Sequence, residues 1–278
     1  MDSVAATCRW IAAVRAQESE RVDRLFSDPF AATLAGEEGF TFLHRMLEAS
    51  PEGPRATNVA YLVHRTRFLD DFLTRTVSET PIRQLVMLAS GMDTRAYRME
   101  WPRDMSVYEI DLPEVTQLKS QLLAELGSRP TCRLVSLTQD LRRNWMEPLL
   151  ESGFDIEQPS VWLVEGLLMY LEESAVRAIL RDLSALAVPG SRLGTDMINA
   201  DFLTHPSAQR LHTYLEGINA PWRFGVNEPE SFFAEFGWRA DVVQPGELGY
   251  REWPLPIFPR NKPGMPRTFF VTGERFAS

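Results

Sequence analysis

Three carboxylates stand at or just after the ends of apolar runs, where a charge is costly unless it has a partner: Asp111, Asp140 and Glu165. Upstream of them, the apolar run from Leu85 leads into Ala89-Ser90-Gly91-Met92-Asp93-Thr94-Arg95, a loop of small residues where backbone can approach a ligand closely. A dinucleotide fingerprint would need glycines at 89, 91 and 94, and only Gly91 is there, so pyrophosphate binding is disfavoured. Asp111 lies 20 residues after Gly91, with Leu112 beside it. A carboxylate in that position accepts hydrogen bonds from both hydroxyls of a ribose. The alternative is an acidic helix cap ahead of Pro113, and Glu109 points to one side within its strand. Asp140 can accept from an adenine amino group while Leu141 packs on the base, or it caps a helix beginning near Leu141. Glu165 would sit near the reacting groups with Tyr170 lining the cleft; the plainer reading is a capping Glu and a core Tyr.

These residues need a frame that gathers them. Short apolar runs at Gln84–Ser90, Ser106–Ile110, Arg133–Leu137, Val161–Glu165 and Arg192–Met197 alternate with helical patterns at Leu112–Leu126, Arg142–Leu150 and Glu173–Ala187. Such alternation predicts an α/β fold with a parallel, doubly wound sheet and ligand sites at the carboxyl ends of its strands. Two further strands, Ala240–Gln244 and Thr268–Thr272, are joined only by a Pro/Gly-rich link, which predicts an antiparallel hairpin at the sheet edge. Residues 1–80 read as a helical extension packing over the site. In it Val4–Glu20 and Asn58–Thr76 are helical, Asp28-Pro29 is a helix start, and Pro51-Glu52-Gly53-Pro54 is a break. Residues 81–278 form the main domain, interrupted by a lid insertion at about 199–227.

Composition narrows the chemistry. The net charge of -9 repels phosphate backbones, so nucleic acid is not expected as a partner. No stretch of 18 apolar residues occurs, so neither a membrane span nor a membrane partner is expected. Cys8 and Cys132 lie far apart in no metal-like spacing, which predicts no metal site or disulfide framework and a cytoplasmic location.

The segments LASGMDTRAYR, YEIDLPEV, QDLR and VEGLLMYL, in that order and preceded by HRTRFLDDFL, closely resemble the leucine carboxyl methyltransferase-like family and its bacterial natural-product branch. The resemblance spans roughly Asp28 to Gly273. It implies a class I methyltransferase fold with a seven-stranded sheet, and S-adenosylmethionine as cofactor. It implies too that an upstream Arg binds the methionine carboxylate, Arg65 first and Arg67 as the alternative, since a guanidinium grips a carboxylate through paired hydrogen bonds. Carried over similarly are Ala89, Ser90 and Gly91 for the close approach, Asp111 and Leu112 for ribose, Asp140 and Leu141 for adenine, and Glu165 for the methionine amino group or substrate rim. Many relatives have Gly where this chain has Ala89; an extended backbone suits alanine there, whereas a positive φ does not.

The implied reaction is in-line displacement at a sulfonium methyl, in which the protein aligns the partners in a dry site. A carboxylate acceptor needs no general base, whereas a hydroxyl benefits from one. His205 and His212, seven residues apart in the insertion, are the candidates. Tyr214, Trp222, Phe224 and the Trp253–Phe258 stretch predict an apolar pocket for a planar or hydrophobic small molecule, and the resemblance to the bacterial branch implies a natural-product, polyketide-like acceptor, with the protein a monomer or homodimer. The contrasting readings are a protein C-terminal carboxyl methyltransferase, and a cofactor-binding protein that has lost transfer or promotes a rearrangement.

Overall fold

A computed structural model describes residues 3–48 and 57–276. The strands are β1 (Gln84–Leu88), β2 (Ser106–Asp111), β3 (Arg133–Thr138), β4 (Val161–Val164), β5 (Arg192–Ile198), β6 (Trp238–Val243) and β7 (Thr268–Arg275). They form one seven-stranded sheet in the order β3-β2-β1-β4-β5-β7-β6. The first five are mutually parallel, and β7 runs antiparallel to both of its neighbours, β5 and β6. This is the doubly wound α/β sheet with a reversed terminal pair that the sequence predicts. The reversal threads β7 inside the sheet and leaves β6 at the edge.

The helices are α1 (Ser3–Glu20), α2 (Ala31–Glu48), α3 (Thr57–Glu79), α4 (Arg95–Arg98), α5 (Pro113–Glu125), α6 (Met146–Glu151), α7 (Glu173–Leu186), α8 (Gln209–Gly217) and α9 (Pro229–Ala234). Period-2 alternation along the strands sorts their side chains into two cores. Leu85, Met87, Val107 and Leu163 meet Phe68, Leu69, Phe72 and Leu73 of α3 on one face. Val86, Leu88, Ile110, Trp162 and Val164 meet Ile179, Leu180 and Leu183 of α7 on the other. Each such buried side chain contributes about 1.5–3 kcal/mol of transfer free energy, so the two layers fix the strand tips between them. A third core of α1, α2 and α3 takes in Met92 and Leu123, which seats the N-terminal helices over the loop after β1.

Two local expectations change. The helix expected over Arg142–Leu150 begins only at Met146, because Asp140 Oδ1 accepts from the Arg142 amide and closes a turn instead. Asp28 is not the immediate cap of α2, which starts at Ala31; its buried carboxylate accepts from the Phe30 amide, Arg15 Nε and Thr94 Oγ1, tying α1 to the loop before α4. The expected break at Pro51–Pro54 lies outside the described residues. Among the described residues no helix is long and apolar enough to cross a membrane.

Candidate functional site

The sheet order reverses about β1, whose neighbours β2 and β4 lead the chain away in opposite directions, and such a switch point opens a crevice at the carboxyl ends of the strands. A cavity of about 820 Å³ lies there. Its floor is the loop after β1 and the tips of β2 and β4; α1, α2, α3 and α8 supply the walls through residues such as Ile11, Phe42, Tyr61 and Tyr214. Of the residues singled out from sequence, Arg65, Ala89, Ser90, Gly91, Asp111, Leu112, Asp140, Leu141, Glu165 and Tyr170 all line it.

The loop after β1 is more strained than expected. Ala89 is in the left-handed region at φ 54°, not extended, although a Cβ there costs about 1–2 kcal/mol. Gly91 follows at φ 51°, and a Cβ on it would stand 3.1 Å from the Cys8 sulfur of α1. What holds the loop is Asp111. Its Oδ2 accepts from the Gly91 amide at 2.6 Å and its Oδ1 from the Leu112 amide at 2.7 Å. Burial nonetheless pushes the Asp111 carboxyl above its usual range. Each carboxylate oxygen retains a second lone pair, so two hydroxyls of a ribose can still be received. Glu109 is set aside for structure, buried against Lys119 Nζ at 2.7 Å. Asp140 sits at the cavity rim, chelated by the exposed Arg142 guanidinium, and Leu141 lies beside it.

Beneath the far end of the cavity runs a chain of buried ion pairs. Arg98 holds Asp70; Asp70 also holds Arg95 Nε at 2.7 Å; Arg95 Nη1 reaches both Asp93 and Glu165. Glu165 in turn lies 2.9 Å from Arg65 Nε, a charge contact rather than an aligned hydrogen bond. Arg65 Nη1 donates to Asp196 Oδ2 at 3.0 Å. Burial alone would raise the carboxyls of Asp70, Asp93 and Glu165, but the guanidinium groups outweigh it and hold all three below the usual range, Asp93 at about 2. Glu165 therefore stays ionised at the cavity wall. Arg65 Nη2 has no protein partner among the described residues, which suits a ligand carboxylate. Gly166, at φ 65°, leaves room for that guanidinium: a Cβ would come within 3.0 Å of Nη1. Arg67 is ruled out as the alternative by position, being paired with Asp71 and Leu25 outside the cavity.

The two histidines do not reach the cavity. His205 Nδ1 accepts from the Ser207 amide and caps a short turn. His212 Nε2 bonds the Phe202 carbonyl, and its ring packs edge-on against Trp222, behind the lining. A seven-residue spacing does not align them because a separate short helical turn at Pro206–Ala208 precedes α8. Trp222, Tyr170 and Tyr214 do line the cavity. Phe224 and Trp253 are instead buried in the cores. Two residues escaped the sequence reading. Asp196 lies inside the expected strand Arg192–Met197 and Tyr61 inside the expected helix Asn58–Thr76, and neither was singled out. The signal available was a lone carboxylate inside an otherwise uncharged strand core.

The groups present fit S-adenosylmethionine: paired acceptors for a ribose, a cation with a spare donor for a carboxylate, and an ionised Glu165 for an ammonium. The leucine carboxyl methyltransferase family model matches residues 9–184. A protein of Mycolicibacterium paratuberculosis, provisionally assigned as an S-adenosyl-L-methionine-dependent methyltransferase, is 38% identical over 267 residues, covering 93% of this chain and 86% of its own. Two solved structures share the fold at low identity. A DUF574 family protein from Streptomyces avermitilis has a TM-score of 0.64 at 16% identity, with 97% of each chain covered. A provisionally assigned methyltransferase from Thermobifida fusca has a TM-score of 0.63 at 19% identity, covering 94% of this chain and 96% of that one. With the family model spanning more than half of its length and such relatives along nearly all of it, this chain belongs to the leucine carboxyl methyltransferase family.

Proposed function

We propose that the protein is an S-adenosylmethionine-dependent methyltransferase that methylates an oxygen of a small, apolar, planar acceptor. The observation that carries this reading is the single cavity that joins a nucleoside-type corner (Gly91, Asp111, Leu141) to an ionised pair (Arg65, Glu165) and an aromatic wall (Phe42, Tyr214, Trp222). The cofactor is S-adenosylmethionine, and when bound it supplies an electrophilic methyl on a positively charged sulfur. Asp111 receives the ribose hydroxyls; Asp140 and Leu141 take the adenine once Arg142 swings off; Arg65 and Glu165 orient the amino-acid end. Helices α1, α2 and α8 exclude water, which strengthens each of these contacts. The volume of about 820 Å³ is toward the upper end of the roughly 300–1,000 Å³ of small-molecule sites, supporting room for cofactor and acceptor together. A protein tail as acceptor would need an open groove at the roof, where α2 and α8 instead meet through Phe42 and Tyr214.

Titration calorimetry with S-adenosylmethionine and with NADH tests the cofactor, and mass spectrometry after incubation with hydroxylated and carboxylated aromatics tests the transfer. Selective binding of the nicotinamide dinucleotide would refute the reading. Tight S-adenosylmethionine binding without transfer to any acceptor would favour the non-transferring protein.

A further inference from the structure

Tyr61 lines the cavity from α3, one turn before Arg65 on the same helix face. Its hydroxyl donates to Asp196 Oδ2 at 2.6 Å. Asp196 is fully buried in β5 and takes two more donors, the Gly166 amide at 2.6 Å and Arg65 Nη1 at 3.0 Å. A phenol has one proton. With that proton committed to a buried carboxylate, the Tyr61 oxygen has only lone pairs left to offer a ligand. The lining of the same cavity is aromatic: Trp10 stacks on Phe42 at 5.7 Å, Phe42 meets Tyr214 edge-on, and Tyr170 meets Trp222 edge-on at 6.2 Å.

The geometry points to Tyr61 as the group that receives the nucleophile, which is therefore a hydroxyl bearing its own proton on a planar aromatic acceptor, and not a carboxylate. This rests on the methyltransferase reading. A hydroxyl donates to Tyr61 and is oriented by it, whereas a carboxylate has no proton to donate and would set its charge against the Tyr61 lone pairs. No histidine lines the cavity among the described residues, and Tyr61 with Asp196 does its work. As the new carbon–oxygen bond forms, the methyl–sulfur bond breaks and leaves its electron pair on sulfur. The hydroxyl proton, now strongly acidic, passes to Tyr61 Oη while the Tyr61 proton passes to Asp196 Oδ2. One positive charge leaves sulfur as one proton reaches Asp196, so the buried site keeps its net charge throughout. Tyr61 is the catalytic residue in this scheme and Asp196 a positioning residue acting through it.

The test uses Tyr61→Phe, which keeps the ring packed 5.4 Å from Phe270 and removes only the oxygen. The probes are 2-naphthol and 2-naphthoate, titrated into protein loaded with S-adenosylhomocysteine and then offered with S-adenosylmethionine. Wild type is expected to bind the naphthol about tenfold or more tightly than the naphthoate, the margin of one good hydrogen bond. Tyr61→Phe should lose that preference, keep its S-adenosylmethionine affinity, and transfer about 10²–10⁴-fold more slowly, the range for a lost general base. Its rate should recover toward alkaline pH, where the naphthol ionises unaided, a recovery that a purely structural role would not produce. Wild type binding S-adenosylmethionine yet preferring or methylating the naphthoate, binding neither probe, or showing no change in Tyr61→Phe would overturn this inference alone. Wild type failing to bind S-adenosylmethionine would overturn the methyltransferase reading with it.

Discussion

Asp111 is asked to do two things, and substitution separates them. Both of its oxygens accept backbone amides, from Gly91 at 2.6 Å and Leu112 at 2.7 Å, and the residue is only 5% exposed. In Asp111→Asn the amide oxygen keeps one of these donors and the NH2 group confronts the other. One buried N–H loses its partner, a cost of about 1–3 kcal/mol. Asp111→Ala strips both, and the cost is about twice that wherever cavity water cannot replace the carboxylate. For a chain of this size the Asn change should lower the melting temperature by about 2–5 °C in the absence of ligand. Ribose binding adds a second loss. Hydrogen bonds to a charged acceptor are worth about 1.5–3 kcal/mol, so Asp111→Ala should weaken S-adenosylmethionine binding roughly 10- to 150-fold and Asp111→Asn less. Thermal unfolding without ligand reads the first effect and calorimetry reads the second. Wild-type affinity in Asp111→Ala would refute the ribose role and leave Asp111 a loop anchor; an unchanged melting temperature in Asp111→Asn would refute the anchoring.

Ala89→Gly should be neutral to about 1 kcal/mol stabilising, since relief of the left-handed strain slightly exceeds the entropy a glycine adds to the unfolded chain; urea unfolding checks it, and a loss of more than 1 kcal/mol would show the methyl to be packed. Acid should unfold the protein from the cavity outward. The folded values of Asp70, Asp93 and Glu165 are depressed, Asp93 to about 2, so their contribution is complete above the ordinary value of about 4 and is lost as pH falls toward 2. Glu109 and Asp111, raised by burial, act in the opposite sense and soften the transition. Circular dichroism across that window, repeated for Asp93→Asn, should show a shallower acid slope in the variant. His205→Ala and His212→Phe should each keep the transfer rate within about threefold, because loss of a true general base costs about 10²–10⁴; a hundredfold loss in either would return histidine to the mechanism.

Strand identity and order of use were settled by local sequence, because period-2 apolar runs and their helical spacers need no distant information. The same holds for the residues at strand ends: Gly91, Asp111, Leu141 and Glu165 could be named because a parallel sheet always delivers those positions to one crevice. The backbone at Ala89 was not legible, since its left-handed turn is imposed from 22 residues away by Asp111 gripping the Gly91 amide. Tyr61 and Asp196 were silent for the same reason on a larger scale. They lie 135 residues apart, and only when α3 crosses the sheet does the Tyr61 hydroxyl find its carboxylate. The histidines erred in the opposite direction: their residue type suggested chemistry, but a break before α8 turned one ring to the surface and the other behind Trp222. Periodicity fixes which face of an element is buried; which buried polar groups meet depends on how separate elements cross, and that is decided by packing of the whole fold.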